Sequence, residues 1–416
     1  MEKFVINGGV KLSGKLRVES AKNAVLPMLA GAILTDEKVV IKNCPKIADV
    51  LTMIKILNHL GVKTNYIDED LIVDASDING YEIPAELGKE LRSSVFMMGA
   101  LVSRFKKAKL TYPGGCKIGA RPINLHVEGL RQMGVNVNET CDYIECFSDN
   151  VYGSKINLKY PSVGATENLM LCAVLAQGKT EIHGVAKEPE IVDLMLYLNK
   201  MGAKVYGAGT STILVEGVKK LHGVEYKPIP DRIEAGTYLL SVVVAGGEIE
   251  LIGCDSKNIC PLIHKLCDNT CKITIKNDII YLKSASMVKA FNISTGPYPC
   301  FPTDLQAQTM VLSTVSQGVS VITENVFENR FSHVSELLKM GAIISVKGKR
   351  ATVNGVKQLH GAKVSASDLR GGASLVLAGL NAEGQTEVFG VNHIERGYLN
   401  IDKKLRSLGA RIKLEK

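Results

Sequence analysis

The apolar positions of this chain fall into two kinds of helix-length segment that alternate from end to end. Stretches such as "NAVLPMLAGAIL", "NLMLCAVLAQG", "TYLLSVVVAGG" and "ASLVLAGL" are apolar almost all round and rich in small residues, which predicts helices buried on every side. "LTMIKILNHLG" carries apolar side chains at Leu51, Ile54, Leu57 and Leu60, an i, i+3 stripe that predicts a helix with one buried face. Short β-branched or alternating runs lie between such helices; "KVVIKN", "VKTNYI" and "DLIVDA" read as half-buried strands.

The amphipathic segments end alike, in "LNHLGV", "LRQMGV", "LNKMGA", "LLKMGA" and "LRSLGA". Gly61, Gly134, Gly202, Gly341 and Gly409 thus stand just past the last apolar residue, where a left-handed C-cap is expected. "LCDNTC" fits the same series with Thr270 in the glycine's place. Successive positions lie between 68 residues (Gly134 to Gly202) and 73 residues (Gly61 to Gly134) apart, so the chain reads as six copies of one unit. Each copy runs apolar helix, short strand, loop, amphipathic helix, strand pair. Six units divide most simply into two domains of three, residues 22–229 and residues 1–21 with 230–416. The break falls in "GVEYKPIPDRIE", where Pro228 and Pro230 stiffen a linker. The first strand, "EKFVING", has no partner in the first unit and is expected to pair with the last. That pairing makes two crossings, near 21 and 229, and a hinge.

Composition narrows the class without choosing a function. Of the 416 residues 22% are charged and 46% hydrophobic, values of a soluble globular protein. No apolar run approaches the roughly 18 residues of a membrane span, and no leader pattern opens the sequence, so a cytoplasmic protein without membrane insertion is expected. The ten cysteines are then expected to be reduced. Cys260, Cys267 and Cys271, with His264 nearby, match no zinc spacing, and no metal is assigned. A net charge of +8 favours anionic partners. The basic residues are dispersed without a block or aromatic interleaving, which argues against nucleic acid.

Unusual chemistry gathers at two positions of the repeat. The start of the apolar helix holds Lys22 and Asn23, Arg92, Thr166, Asp231 and Arg232, Asp304, and Asp368 with Arg370. The loop before the amphipathic helix holds Lys46, Cys116 with Arg121, Glu188 with Glu190, Lys257, Arg330 and Arg396. Cations near helix N-termini are unfavourable by roughly 0.3–1 kcal/mol unless an anion fills the space. Their recurrence predicts bound phosphate or carboxylate. In "YPGGCKIGARPINLH", Gly114, Gly115 and Gly119 give mobility, while Lys117 and Arg121 supply the positive potential that activates a thiol such as Cys116. In "YPCFPTDLQAQ", Asp304 is either a helix cap or a base toward a hydroxyl. Ser162 to Gly164, in "SVGATEN", form a candidate phosphate-cradling turn.

These motifs, together with "AKNAVLP", "LRSSVFMMGALVSRF", "EPEIVD", "PDRIEAGT", "FENRF" and "HIERGY", give the chain a close resemblance along its whole length to the UDP-N-acetylglucosamine 1-carboxyvinyltransferase family. The resemblance implies an α/β fold, the two-domain inside-out barrel of enolpyruvyl transferases, built from six βαβαββ units. It implies transfer of the enolpyruvyl group of phosphoenolpyruvate to the 3'-hydroxyl of UDP-N-acetylglucosamine with release of phosphate, the first committed step of peptidoglycan synthesis, and no cofactor. By position, Cys116 matches the catalytic acid and Asp304 the base. Lys22, Asn23, Arg121 and Arg396 match phosphoenolpyruvate-binding groups. Arg92, Arg121, Pro122, Ile123, Asn124, Leu125, Ser162, Val163, Gly164, Asp304 and Val326 match the sugar-nucleotide site. Glu188, Asp231, Arg330, Asp368 and Arg370 match supporting charges. Two departures stand out: Cys300 replaces the usual glycine before "FPTD", and Tyr160 an often basic residue before "SVGAT". The sister enolpyruvylshikimate-phosphate synthases share fold and donor but lack the cysteine loop, which makes a different hydroxyl acceptor the alternative reading.

Overall fold

The computed structural model describes residues 2–114, 118, 119, 122–269 and 271–416. The chain forms two compact units. One takes the residues up to Glu19 and from Pro230 onward, joined by Ile118 and Gly119; the other takes the rest of the span from Ser20 to Ile229. The chain therefore passes between the units after Glu19 and after Ile229. Backbone bonds from Ala21 to Ile229 (2.7 Å) and from Asp231 to Glu19 (2.8 Å) fix the ends of these passages within their own units.

Each unit carries three sheets among the described residues. In five of the six, four strands recur in one order, a strand parallel to the next followed by two antiparallel neighbours; the sixth, Lys107–Thr111, Tyr143–Phe147 and Asn136–Glu139, keeps the two antiparallel pairings and has a single parallel bridge, Glu82 to Lys109, in the fourth strand's place. Val224–Tyr226 runs parallel to Val39–Ile41, which pairs antiparallel with Asp70–Asp74 and that with Lys63–Ile67. The stretch that looked like a linker is thus partly a strand, returning to complete the first unit's sheet. Its mate is Leu12–Arg17, which leaves the N-terminus to run parallel to Gly247–Ile252. Lys3–Asn7 inserts between Gln385–Phe389 and Arg411–Glu415, antiparallel to both, so the first strand does join the last unit.

Three nearly all-apolar helices are buried in each unit. They are Lys22–Gly31, Phe96–Phe105 and Val163–Ala173 in one, and Arg232–Ala245, Gln306–Thr314 and Leu369–Asn381 in the other. Small residues let them approach closely. Gly99 donates its N–H to Asn168 Oδ1 (2.8 Å), and a Cβ there would overlap the Asn168 backbone oxygen. Gly99→Ala is therefore expected to destabilise that unit by about 1–3 kcal/mol in urea unfolding, overpacking outweighing the roughly 1 kcal/mol gained in helix propensity.

The amphipathic helices cover the sheets' outer partners, and their C-cap glycines are left-handed as the sequence requires: φ is 93° at Gly61, 82° at Gly134, 95° at Gly202, 87° at Gly341 and 97° at Gly409. The stripe on the first of them is shifted. Helix Ala48–His59 buries Val50, Met53, Ile56 and Leu57, whereas Leu51 is 41% exposed and Ile54 half-buried. This helix has apolar residues on more than one face, and packing against Lys22–Gly31 selects the set that periodicity alone left ambiguous.

Candidate active site

Asp304 sits in a 3-10 turn, Thr303–Leu305, that leads into helix Gln306–Thr314. It is not the cap of either: the N-cap positions are Pro302 and Leu305, and neither makes a side-chain cap bond. Instead both its oxygens accept bonds from guanidinium groups. Arg330 Nη2 donates to Oδ1 at 2.7 Å, and Arg370 donates to Oδ2 through Nη2 at 3.0 Å and Nε at 3.2 Å. The arginine side chains are 3% and 4% exposed and that of Asp304 27%, so an accessible carboxylate rests on a buried cationic platform. Burial works against the charge of Arg370, but Tyr398, Asp304 and Asp231 outweigh it and hold the guanidinium protonated. Arg330 also donates to the Thr303 carbonyl (3.4 and 3.3 Å) and lies over the Phe327 ring, as Arg370 lies over Tyr398.

The platform is anchored by two aspartates that do cap helices. Asp368 Oδ1 accepts from the N–H groups of Arg370 and Gly371, both at 3.0 Å, and Asp231 Oδ1 from those of Ile233 and Glu234 at 2.8 and 2.9 Å. Arg396, half-buried just after helix Val391–Ile394, and half-buried Val326 belong to this same unit.

The remaining described site residues belong to the other unit. Lys22 opens its helix with no capping side chain before it, and its Nζ pairs with Asp49 Oδ2 at 3.0 Å. The chain's own carboxylates thus answer the cations at Lys22 and Arg370, a pairing the repeat pattern did not anticipate. Asn23 follows, half-buried. Arg92 donates to the Pro113 carbonyl at 3.2 Å, next to the glycines of the cysteine loop. Ser162 caps helix Val163–Ala173 by accepting from Ala165 N at 3.3 Å, with Val163 and Gly164 partly exposed in its first turn. Pro122 and Asn124 are exposed, Leu125 half-buried and Ile123 buried. Glu188 is the N-cap residue of Pro189–Lys200, without a side-chain cap bond, and Glu190 is buried in its first turn. Burial first, then repulsion from Glu190 and Glu188, pushes the carboxyl of their neighbour Glu167 well above the ordinary carboxylate range.

His126 packs beside Gly164, where a Cβ would lie 3.3 Å from its Cε1. Burial, with Arg92 adding to it, pushes the imidazole down to about 3. A folded value below the unfolded one stabilises the protein above about pH 6.5, and that stability is lost as pH falls toward 3. Between pH 7 and pH 5, wild type is expected to lose about 2 kcal/mol more than His126→Gln in urea unfolding.

Cys116 and Arg121, the two remaining site residues, lie outside the described residues. Among the other thiols, burial pushes Cys44, Cys146, Cys172 and Cys254 up to about 12, which makes them inert packing groups. The departures are mild. Cys300 is exposed and is not among the residues with left-handed φ, so its turn needs no glycine; Tyr160 is 45% exposed.

A family model described as EPSP synthase (3-phosphoshikimate 1-carboxyvinyltransferase) matches residues 6–405. Over 413 residues the chain is 50% identical to UDP-N-acetylglucosamine 1-carboxyvinyltransferase 2 of Caldanaerobacter subterraneus subsp. tengcongensis, with 99% of each covered. It is 46% identical over 415 residues to the protein of the same name from Clostridium tetani, again with 99% of each covered. Among solved structures, the enolpyruvyl transferase NikO of Streptomyces tendae matches with a TM-score of 0.90 at 25% identity, over 99% of this chain and 98% of that one. EPSP synthase of Acinetobacter baumannii matches with 0.79 at 16% identity over 100% of both. The sheet-and-helix units are therefore those of the enolpyruvyl transferase fold, and the chain belongs to the EPSP synthase family, within its UDP-N-acetylglucosamine 1-carboxyvinyltransferase group.

Proposed function

We infer that this chain transfers the enolpyruvyl group of phosphoenolpyruvate to the 3'-hydroxyl of UDP-N-acetylglucosamine, releasing phosphate. The observation that carries the chemistry is the accessible Asp304 carboxylate on its Arg330 and Arg370 platform. The choice of acceptor rests on full-length relatives of that name, against 16% identity to the solved EPSP synthase. A nucleotide-sugar acceptor supports a cytoplasmic location for the reaction.

The reaction is an addition followed by an elimination. Cys116 gives a proton to C3 of phosphoenolpyruvate, C2 becomes electron-poor, and the sugar oxygen bonds to C2 as Asp304 takes the hydroxyl proton. Then C3 loses a proton, the double bond re-forms, and the bond from C2 to the phosphate oxygen breaks. Lys22, Asn23, Arg121 and Arg396 hold the donor's phosphate and carboxylate, lowering the cost of gathering charge. Arg92, Pro122 to Leu125, Ser162 to Gly164 and Val326 hold the sugar nucleotide. Phosphate release assayed with each acceptor tests the reading: turnover with UDP-N-acetylglucosamine and none with shikimate 3-phosphate is expected, and the reverse sinks it.

A further inference from the structure

Glu324 follows strand Val319–Thr323 and is 2% exposed, yet neither the repeat nor the motifs mark it. Its backbone N–H donates to the Lys349 carbonyl at 2.8 Å, which pins the strand end. Its carboxylate then reaches two separate segments. Oε1 accepts from the N–H groups of Val326 (2.8 Å) and Phe327 (3.1 Å), and Oε2 accepts from the Thr303 hydroxyl (3.0 Å). Thr303 directly precedes Asp304, and its carbonyl takes bonds from Arg330. Phe327, in turn, lies under the Arg330 guanidinium, 5.7 Å from ring centroid to Cζ.

We propose that Glu324 is a positioning residue for the acceptor, setting the spacing between Asp304 and Val326. This rests on the functional reading above, which puts Asp304 at the sugar hydroxyl and Val326 at the sugar nucleotide. A buried carboxylate that accepts three bonds has its orientation fixed, and it fixes its donors in return. Removing it leaves two backbone N–H groups and a hydroxyl to find new partners, so the Val326 turn and the Asp304 turn move independently. The donor phosphate and carboxylate are held by other residues, and the effect falls on the acceptor.

The test is steady-state kinetics and calorimetric acceptor binding for wild type, Glu324→Ala, Glu324→Gln and Thr303→Val. Glu324→Ala is expected to raise KM for UDP-N-acetylglucosamine about tenfold or more and leave KM for phosphoenolpyruvate within about twofold. In Glu324→Gln the amide oxygen still accepts both N–H groups and the NH2 meets the Thr303 oxygen, so acceptor KM returns to within about threefold of wild type. Thr303→Val, which cuts only the link to the Asp304 turn, falls between the two and decides the matter if Glu324→Ala fails to fold. An unchanged acceptor KM in Thr303→Val and Glu324→Ala, or equal rises for both substrates, overturns the role. A wild type that neither binds nor turns over UDP-N-acetylglucosamine overturns the functional reading, and the positioning role with it; a wild type that does both with unaffected variants overturns the positioning role alone.

Discussion

Asp304→Asn is expected to lower kcat by roughly 10²–10⁴, the usual contribution of a positioned acid or base. Asparagine keeps the size of the side chain and one acceptor oxygen but cannot take the hydroxyl proton. It also turns an NH2 toward one of two guanidiniums that are 3% and 4% exposed, removing the carboxylate charge that both of them face. Breaking a buried ion pair costs several kcal/mol; because Asp304 is 27% exposed, a loss of about 1–3 kcal/mol is expected here. The two effects separate experimentally. Circular dichroism fixes a temperature at which the variant is fully folded, and the kcat deficit must persist there. A variant that regains wild-type kcat once folded would leave Asp304 as a structural counter-ion and nothing more.

Cys116→Ala carries the other large effect. Its sequence setting, between two glycines and a following lysine and arginine, predicts an accessible, activated thiol. Replacing it is expected to reduce kcat by about 10²–10⁴ and shift unfolding stability by no more than about 0.5 kcal/mol. Cys172→Ala should do the opposite. That thiol is fully buried and pushed up to about 12, so its loss affects packing and leaves the chemistry alone. Pre-steady-state turnover beside urea unfolding of both variants distinguishes the two roles, and equal kinetic losses in both would contradict the assignment.

Much of the architecture was legible because it is written locally. A glycine at a helix end states its own conformation, and five such glycines at nearly constant spacing state a repeat. An all-apolar helix likewise states its burial. What stayed hidden depends on pairings between distant residues. Nothing in "KLSGKLR" or "VEY" says that these strands complete sheets begun more than 180 residues away. The bond partners of Asp304 lie 26 and 66 residues further on, which is why sequence alone cannot choose between a cap and a base. Lys22 pairs with Asp49, 27 residues on, a partner that no local pattern supplies. Glu324 gave no signal because its role is made by geometry alone: a single buried carboxylate facing three neutral donors. The shifted stripe on Ala48–His59 teaches a smaller lesson, that periodicity finds a helix more surely than it finds which face is inside.

Loss of phosphate alone does not establish that the enolpyruvyl group itself moves to the sugar. The most direct measurement is nuclear magnetic resonance with mass spectrometry on the nucleotide recovered after incubation with phosphoenolpyruvate and wild-type protein. The expected product is UDP-N-acetylglucosamine bearing one enolpyruvyl group on the 3'-oxygen, with vinyl protons and one phosphate formed for each sugar modified. Recovery of unmodified UDP-N-acetylglucosamine, with phosphate arising only from hydrolysis of the donor, would contradict it.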